Sequence, residues 1–282
     1  MIKTLKVISK QEKEKLTVPR RVQDIMPMKV IYKDGIFQLG NTKAGKLKKF
    51  SKAFRFDDIN YSVASREDKE AMFLDYADLL NSLDSGVDTK ITINNRRLNQ
   101  RDFEKSILLS EGNDGLDEYR KEYNQMLLDK VGGASSRLQE KYITITVYKK
   151  TVEEARSYFA RMAADLTAHF TRLGSRCMEL TTEERLRIFH DFYRAGEETE
   201  YRMNLSETMK KGHDVRDFIS PDSFEMERDY FRMGDRYGRV LYLREYAAFI
   251  KDDMVSELCD LNRNMMLSID VIPVPTDEAV RE

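Results

Sequence analysis

The chain has 282 residues, of which 41% are apolar and 34% charged, with 14 Phe, 14 Tyr and no Trp. That much aromatic material at a mean hydropathy of -0.60 excludes disorder and marks a charge-rich chain with a core of its own. Two cysteines, Cys177 and Cys259, exclude a disulfide scaffold and a cysteine-built zinc site, and suit a reducing compartment.

No apolar run approaches the ~20 residues needed to span a bilayer. The charged start, MIKTLKVISKQEKEK, lacks the apolar centre of a signal peptide. The expectation is a cytoplasmic protein, neither exported nor membrane-spanning by itself. Charge is unevenly placed: residues 1–55 hold 15 Lys/Arg against 4 Asp/Glu, and the remainder 33 against 45. A basic end on an acidic body suits an acidic partner: anionic lipid, nucleic acid or the chain's own body.

In chain order, residues 1–18 read as a flexible basic leader before Pro19. MKVIYKDGIFQL predicts a hairpin, because Asp34-Gly35 is a favoured turn pair between apolar runs. KFSKAFRFDDI predicts a strand with Phe50, Phe54 and Phe56 on one parity. Ser65 caps a helix with acid in its first turn, which Ser85-Gly86 stops. TKITINNRR is a further strand, and Gln100 to Ser136 reads as helical pieces broken by glycines.

YITITVYKK has the strict β-branched alternation of an interior strand. Thr151 then caps a long helix with Phe159, Met162, Leu166 and Phe170 as its stripe. Cys177 to Leu180 reads as a short strand, and Thr181 or Thr182 opens the next helix. SFEMERDYFRMG and RYGRVLYLREYA predict paired strands, the second in a sheet interior. A helix through Met254 to Leu261 and the strand MMLSIDVIPV close the series.

This order predicts an α+β fold: a mixed, largely antiparallel sheet with helices packed on one face. Two strand–helix–strand units, starting at FRFDDI and RVLYLREYA, suggest either two related halves of residues 19–275, about 19–135 and 136–275, or a split sheet, with no sequence repeat between them. Residues 276–282 form a tail.

The chemistry is sparse. Gly40 to Lys46 fits G-x-x-x-x-G-K, but a phosphate loop needs a hydroxyl next and a helix behind it, whereas Leu47 follows and then a strand. His169, His190 and His213 lack ligand-type partners at i, i+4, so no metal or other cofactor is expected. No nucleophile signature is present. KLKKFSKAFRF has the basic, aromatic look of a nucleic-acid strand, yet its phenylalanines alternate like residues buried on one face.

One set of motifs is more specific. Pro19, Gln23, Ile25 and Pro27 are followed by Tyr32, Asp34, Gly35 and Ile36, and then by Phe56, Asp58, Ile59, Asn60, Tyr61 and Ala64. With YKKTVEEARSYFARM and YLREYAAFIKDDMVSEL, they resemble the N-terminal domain of the large ATPases of conjugative type IV secretion systems, particularly those of integrative elements in Gram-positive bacteria. The resemblance runs from about Val18 to the end of the chain.

The family's Walker motifs come after this region and are absent from these 282 residues, so no catalytic residue carries over and this chain is not expected to be an enzyme. The resemblance implies a docking and assembly domain that anchors a motor to an inner-membrane channel complex. Its partners would be channel components, its own C-terminal ATPase domain, anionic lipid and further copies of itself. Lys43, Lys46, Lys48, Lys49 and Lys52 are the candidate basic patch facing lipid or an acidic partner. The alternatives are a nucleotide-binding enzyme using Gly40–Lys46 and a nucleic-acid adaptor using the basic end.

Overall fold

The computed structural model describes residues 21–40, 47–97, 108–112, 114–132, 137–198, 201, 203–245, 253–261 and 263–274. The leader over 1–18 and the tail over 276–282 lie outside them.

The first hairpin pairs β1 (Met28–Ile31) with β2 (Phe37–Leu39) around Asp34-Gly35. Gly35 has φ of 77°, and a Cβ there would lie 2.4 Å from the carbonyl oxygen of Leu180. Only glycine meets both conditions. β3 (Lys48–Phe56) leads to α1 (Arg66–Asn81), whose cap Ser65 accepts a hydrogen bond from the Asp68 N–H at 3.1 Å. β4 (Asp88–Arg97), α2 (Asp117–Gly132) and β5 (Arg137–Lys149) follow. α3 (Val152–Arg172) is capped by Thr151. Its stripe of Ala155, Phe159, Met162, Leu166 and Phe170 is buried, each large side chain contributing about 1.5–3 kcal/mol.

After β6 (Cys177–Glu179), α4 (Thr182–Tyr193) starts in a capping box, with Thr181 accepting from the Glu184 N–H while the Glu184 side chain accepts from the Thr181 N–H. The remainder holds α5 (Leu205–Lys211), the short strands β7 (Phe224–Met226), β8 (Phe231–Met233) and β9 (Arg236–Gly238), α6 (Asp253–Cys259) and β10 (Met265–Val271).

The fold is α+β, built on a seven-stranded antiparallel sheet of order β1-β2-β3-β5-β4-β10. β6 pairs the second half of β3 on the side where β2 pairs its first half. β7, β8 and β9 make a separate small sheet. YITITVYKK lies in the sheet interior, between β3 and β4.

Three expectations change. The chain does not divide near residue 135, because β5 and β10 from the second half complete a sheet begun by β1 to β4. Helices also cover both sheet faces. Residues directly opposite in a ladder share a face, which puts Phe50, Phe54, Ile143, Ile145 and Val147 on one side beneath α1 and α3. Ala53, Tyr142 and Phe37 lie on the other, against Leu180, Ile188 and Leu186 around α4.

Finally, RVLYLREYA forms no strand over its described part. SFEMERDYFRMG is itself the β7–β8 hairpin, β9 ends at Gly238, and Val240, Leu241 and Tyr242 are 77%, 81% and 79% exposed. β propensity needs a neighbouring strand, and among the described residues none lies beside this run.

A buried arginine fastens the second face. Arg185 donates to the carbonyls of Gly35 and Ser51 at 2.7 and 2.8 Å and to the Ser51 hydroxyl at 3.1 Å, with its guanidinium 4.0 Å from the Phe37 ring centre. Burial pushes its pKa down to about 9, which leaves it charged at neutral pH. Thr182 completes the joint, accepting from the Gly35 N–H at 3.0 Å and donating to the Tyr32 carbonyl at 2.6 Å.

Candidate functional site at the basic end of the sheet

The five lysines expected to form one patch are placed differently. Lys43 and Lys46 lie outside the described residues, as do the other residues of the G-x-x-x-x-G-K run beyond Gly40. The chain continues from that run into β3 rather than into the helix a phosphate loop requires. Lys52 is a correction: it is 7% exposed and paired with Glu179, because it lies in the middle of β3 on the α3 side of the sheet, next to β6. Lys48 and Lys49 remain at the end of the sheet, where the start of β3 meets the end of β5.

There the register sets Lys48 opposite Lys149 and Lys49 opposite Tyr148. Lys49 is half-buried, 3.2 Å from Asp88 and 5.4 Å from the Tyr148 ring centre. Burial acts to lower its pKa, but hydrogen bonding to Tyr148 and Asp88 more than offsets this and raises it. It is a neutralised cation that ties three strands together.

Lys48 and Lys149 differ. Both point to the face that α3 covers, since they share the parity of Phe50 and Val147. Lys149 lies 5.0 Å over the Tyr158 ring of α3, and neither lysine has an ion pair with a carboxylate among the described residues.

Tyr158 organises the rest. Its hydroxyl donates to Asp84 at 2.9 Å, Arg161 donates to the same oxygen at 2.9 Å, and the Arg161 guanidinium lies 5.1 Å from the ring centre. Burial first, and then the Asp84 carboxylate, push the Tyr158 hydroxyl well above the usual phenol range, so it stays a donor. Two adjoining hollows flank the ring: one of about 340 Å³ between Asp84–Val87 and Val147–Lys149, and a more open one of about 450 Å³ lined by Lys149, Glu154, Ser157, Tyr158 and Arg161. Exposed Lys150 borders the same end. The arrangement offers lysine ammonium groups beside an aromatic floor.

Sequence reasoning missed Lys149, Tyr158 and Arg161. The available signal was the Tyr-Lys-Lys ending of YITITVYKK, which an antiparallel pairing with KLKKF brings beside the first lysines.

A second polar group sits on the α4 side. Arg96 is 3.0 Å from Glu140 and 3.4 Å from buried Asp191, and His190 Nδ1 lies 3.1 Å from Asp191. His190 also packs 4.8 Å from the Tyr201 ring. Burial and Glu140 raise the pKa of the neighbouring Tyr142. These contacts join α4 to β4 and β5. Among the described residues no group of three or more His, Cys, Asp or Glu could hold a metal ion, and no helix is long and apolar enough to cross a membrane. Comparison with known proteins finds no family model that matches this chain and no curated protein similar to it.

Proposed function

We propose that this chain is a non-catalytic docking domain that seats its basic sheet end on an anionic membrane surface, in the manner expected of the N-terminal domain of a conjugative transfer ATPase beside its channel. The observation that carries the reading is the Lys48–Lys149 pair. Like charges directly opposite in a ladder are unfavourable, and here they sit without carboxylate partners among the described residues, beside exposed Lys150. An anionic surface relieves that repulsion, each lysine contributing about 1 kcal/mol close to the lipid.

The motif residues behind the family reading are consistent with an assembly role. The Asp34-Gly35 turn is fixed by Arg185 and Thr182, and the Phe56 ring packs tilted against Phe170 at 4.9 Å. The exposed run Val240–Leu243 adds apolar surface suited to a protein partner.

Co-sedimentation with vesicles tests the reading. Retention on anionic but not neutral vesicles is expected at low salt, falling as salt shortens the screening length from ~30 Å at 0.01 M to ~8 Å at 0.15 M. Lys48→Glu with Lys149→Glu should abolish it. Equal retention on both lipids, or none on either, overturns the membrane reading. The conjugative context is tested separately, by a lower DNA-transfer frequency when the double variant replaces the native chain.

A further inference from the structure

The two outer edges of the large sheet are built differently. β1 is four residues long, follows Pro27, carries exposed Lys29 and breaks register with β2 between Met28 and Val30. Short length, proline, lysine and an irregularity are the devices that keep an edge from pairing with another chain. β10 has none of them. It runs seven residues in unbroken register with β4, from Met265 opposite Asn95 to Val271 opposite Thr89, and contains no proline, lysine or arginine. Among the described residues it pairs with β4 alone, and Ser268, Ile269 and Asp270 are exposed.

Its side-chain pattern selects the occupant. Met265, Leu267, Ile269 and Val271 share a face with Ile91 and Ile93, while Met266, Ser268 and Asp270 lie on the other. Turning MMLSIDV antiparallel to itself about Ser268 sets Met265 against Val271 and Leu267 against Ile269, so every pair on the first face is apolar. On the second face Met266 meets Asp270, and Ser268 meets its own copy. The only charge, Asp270, is already matched by Lys90 of its own chain at 3.3 Å, and no like charges come opposite each other.

We propose that two copies of this chain form a two-fold dimer through antiparallel pairing of their β10 strands centred on Ser268, giving one sheet continuous through both copies. A single seven-residue strand pair is smaller than a permanent interface, so the dimer is expected to be concentration-dependent.

Sedimentation velocity over a concentration series tests the association, and cysteine cross-linking tests the register. Residues opposite in an antiparallel pair have Cα atoms about 4.5–5.5 Å apart, within disulfide reach. Ser268→Cys should therefore cross-link to its own copy on mild oxidation, with peptide mapping separating that bond from any at Cys177 or Cys259. Asp270→Cys lies four residues from its own copy, about 13 Å along the strand, and should not cross-link. Ser268→Lys places two ammonium groups on the axis and should leave a monomer with unchanged circular dichroism and melting. A native chain that stays monomeric at every concentration overturns the proposal, as does a dimer in which position 268 fails to cross-link or position 270 cross-links equally well.

Discussion

Arg185 donates a hydrogen bond to the Gly35 carbonyl at 2.7 Å, and among the described residues no carboxylate pairs with it, so a buried cation is held by backbone oxygens, the Ser51 hydroxyl and an aromatic ring. Arg185→Met keeps the packing over Phe37 but strands the Gly35 and Ser51 carbonyls. Each unpaired buried acceptor costs about 1–3 kcal/mol, and removal of a desolvated charge offsets part of that. The expected outcome is a net loss of ~2 kcal/mol, read as a lower urea midpoint. An unchanged or raised midpoint would show that the guanidinium's desolvation outweighs its hydrogen bonds.

Two glycines separate backbone strain from steric exclusion. Gly35 and Gly86 both have positive φ, 77° and 84°, but a Cβ meets the Leu180 carbonyl at 2.4 Å in the first and nothing within 4 Å in the second. Gly86→Ala should cost about 1 kcal/mol, the left-handed penalty alone. Gly35→Ala should cost several-fold more, because the α4 joint must open. Thermal melts of the two variants, compared side by side, check the difference.

Lys48→Glu should move stability and docking in opposite directions. It converts a like-charge cross-strand pair with Lys149 into an opposite one, for which about 0.2–1 kcal/mol of stabilisation is expected. The same change removes a cation from the proposed membrane-facing end. A higher urea midpoint together with weaker vesicle retention is the expected signature, and loss of both would mean that Lys48 has a structural partner.

Cys177 gives a pH dependence with a definite sign. Burial first, and then the Glu179 carboxylate, push its thiol up to about 12 from an ordinary value of 9.0. The unfolded chain therefore releases this proton at lower pH than the folded one. Its contribution is complete below pH 9 and is lost as pH climbs towards 12. Stability should fall across that window, less steeply in Cys177→Ala, and thiol alkylation at pH 9 should be much slower in the native than in the unfolded protein.

Local chemistry made much of this fold legible. Asp34-Gly35, Ser65, Thr151 and Thr181 each announce a turn or cap through their own side chains or backbone freedom, and the structure uses all four. What was hidden depends on pairing. Lys48 meets Lys149, and Arg96 meets Glu140 and Asp191, only because β5 enters beside β3 and β4, which no local pattern specifies. Lys52 shares the parity of Lys48 on β3, yet its place in the middle of the strand, beside β6, buries it against Glu179, while Lys48 at the strand start stays wet. Val240 to Leu243 carries the residue types of β5 but, among the described residues, has no strand to lie against.

The place of β5 also sets the order in which the protein can be made. β3 and β4 are translated well before it, but each finds its long partner only in β5, and β10 must then arrive to flank β4. A nascent chain therefore leaves the ribosome with Phe50, Phe54 and Ile91 uncovered until Lys149 has been added, and with the α3 stripe still to come. Such distant pairing slows folding and prolongs exposure of sticky surface. Productive synthesis should consequently depend on chaperones that hold the growing chain, and silent codon changes that slow elongation between β4 and β5 should lower the yield of folded protein more than the same changes placed after β10.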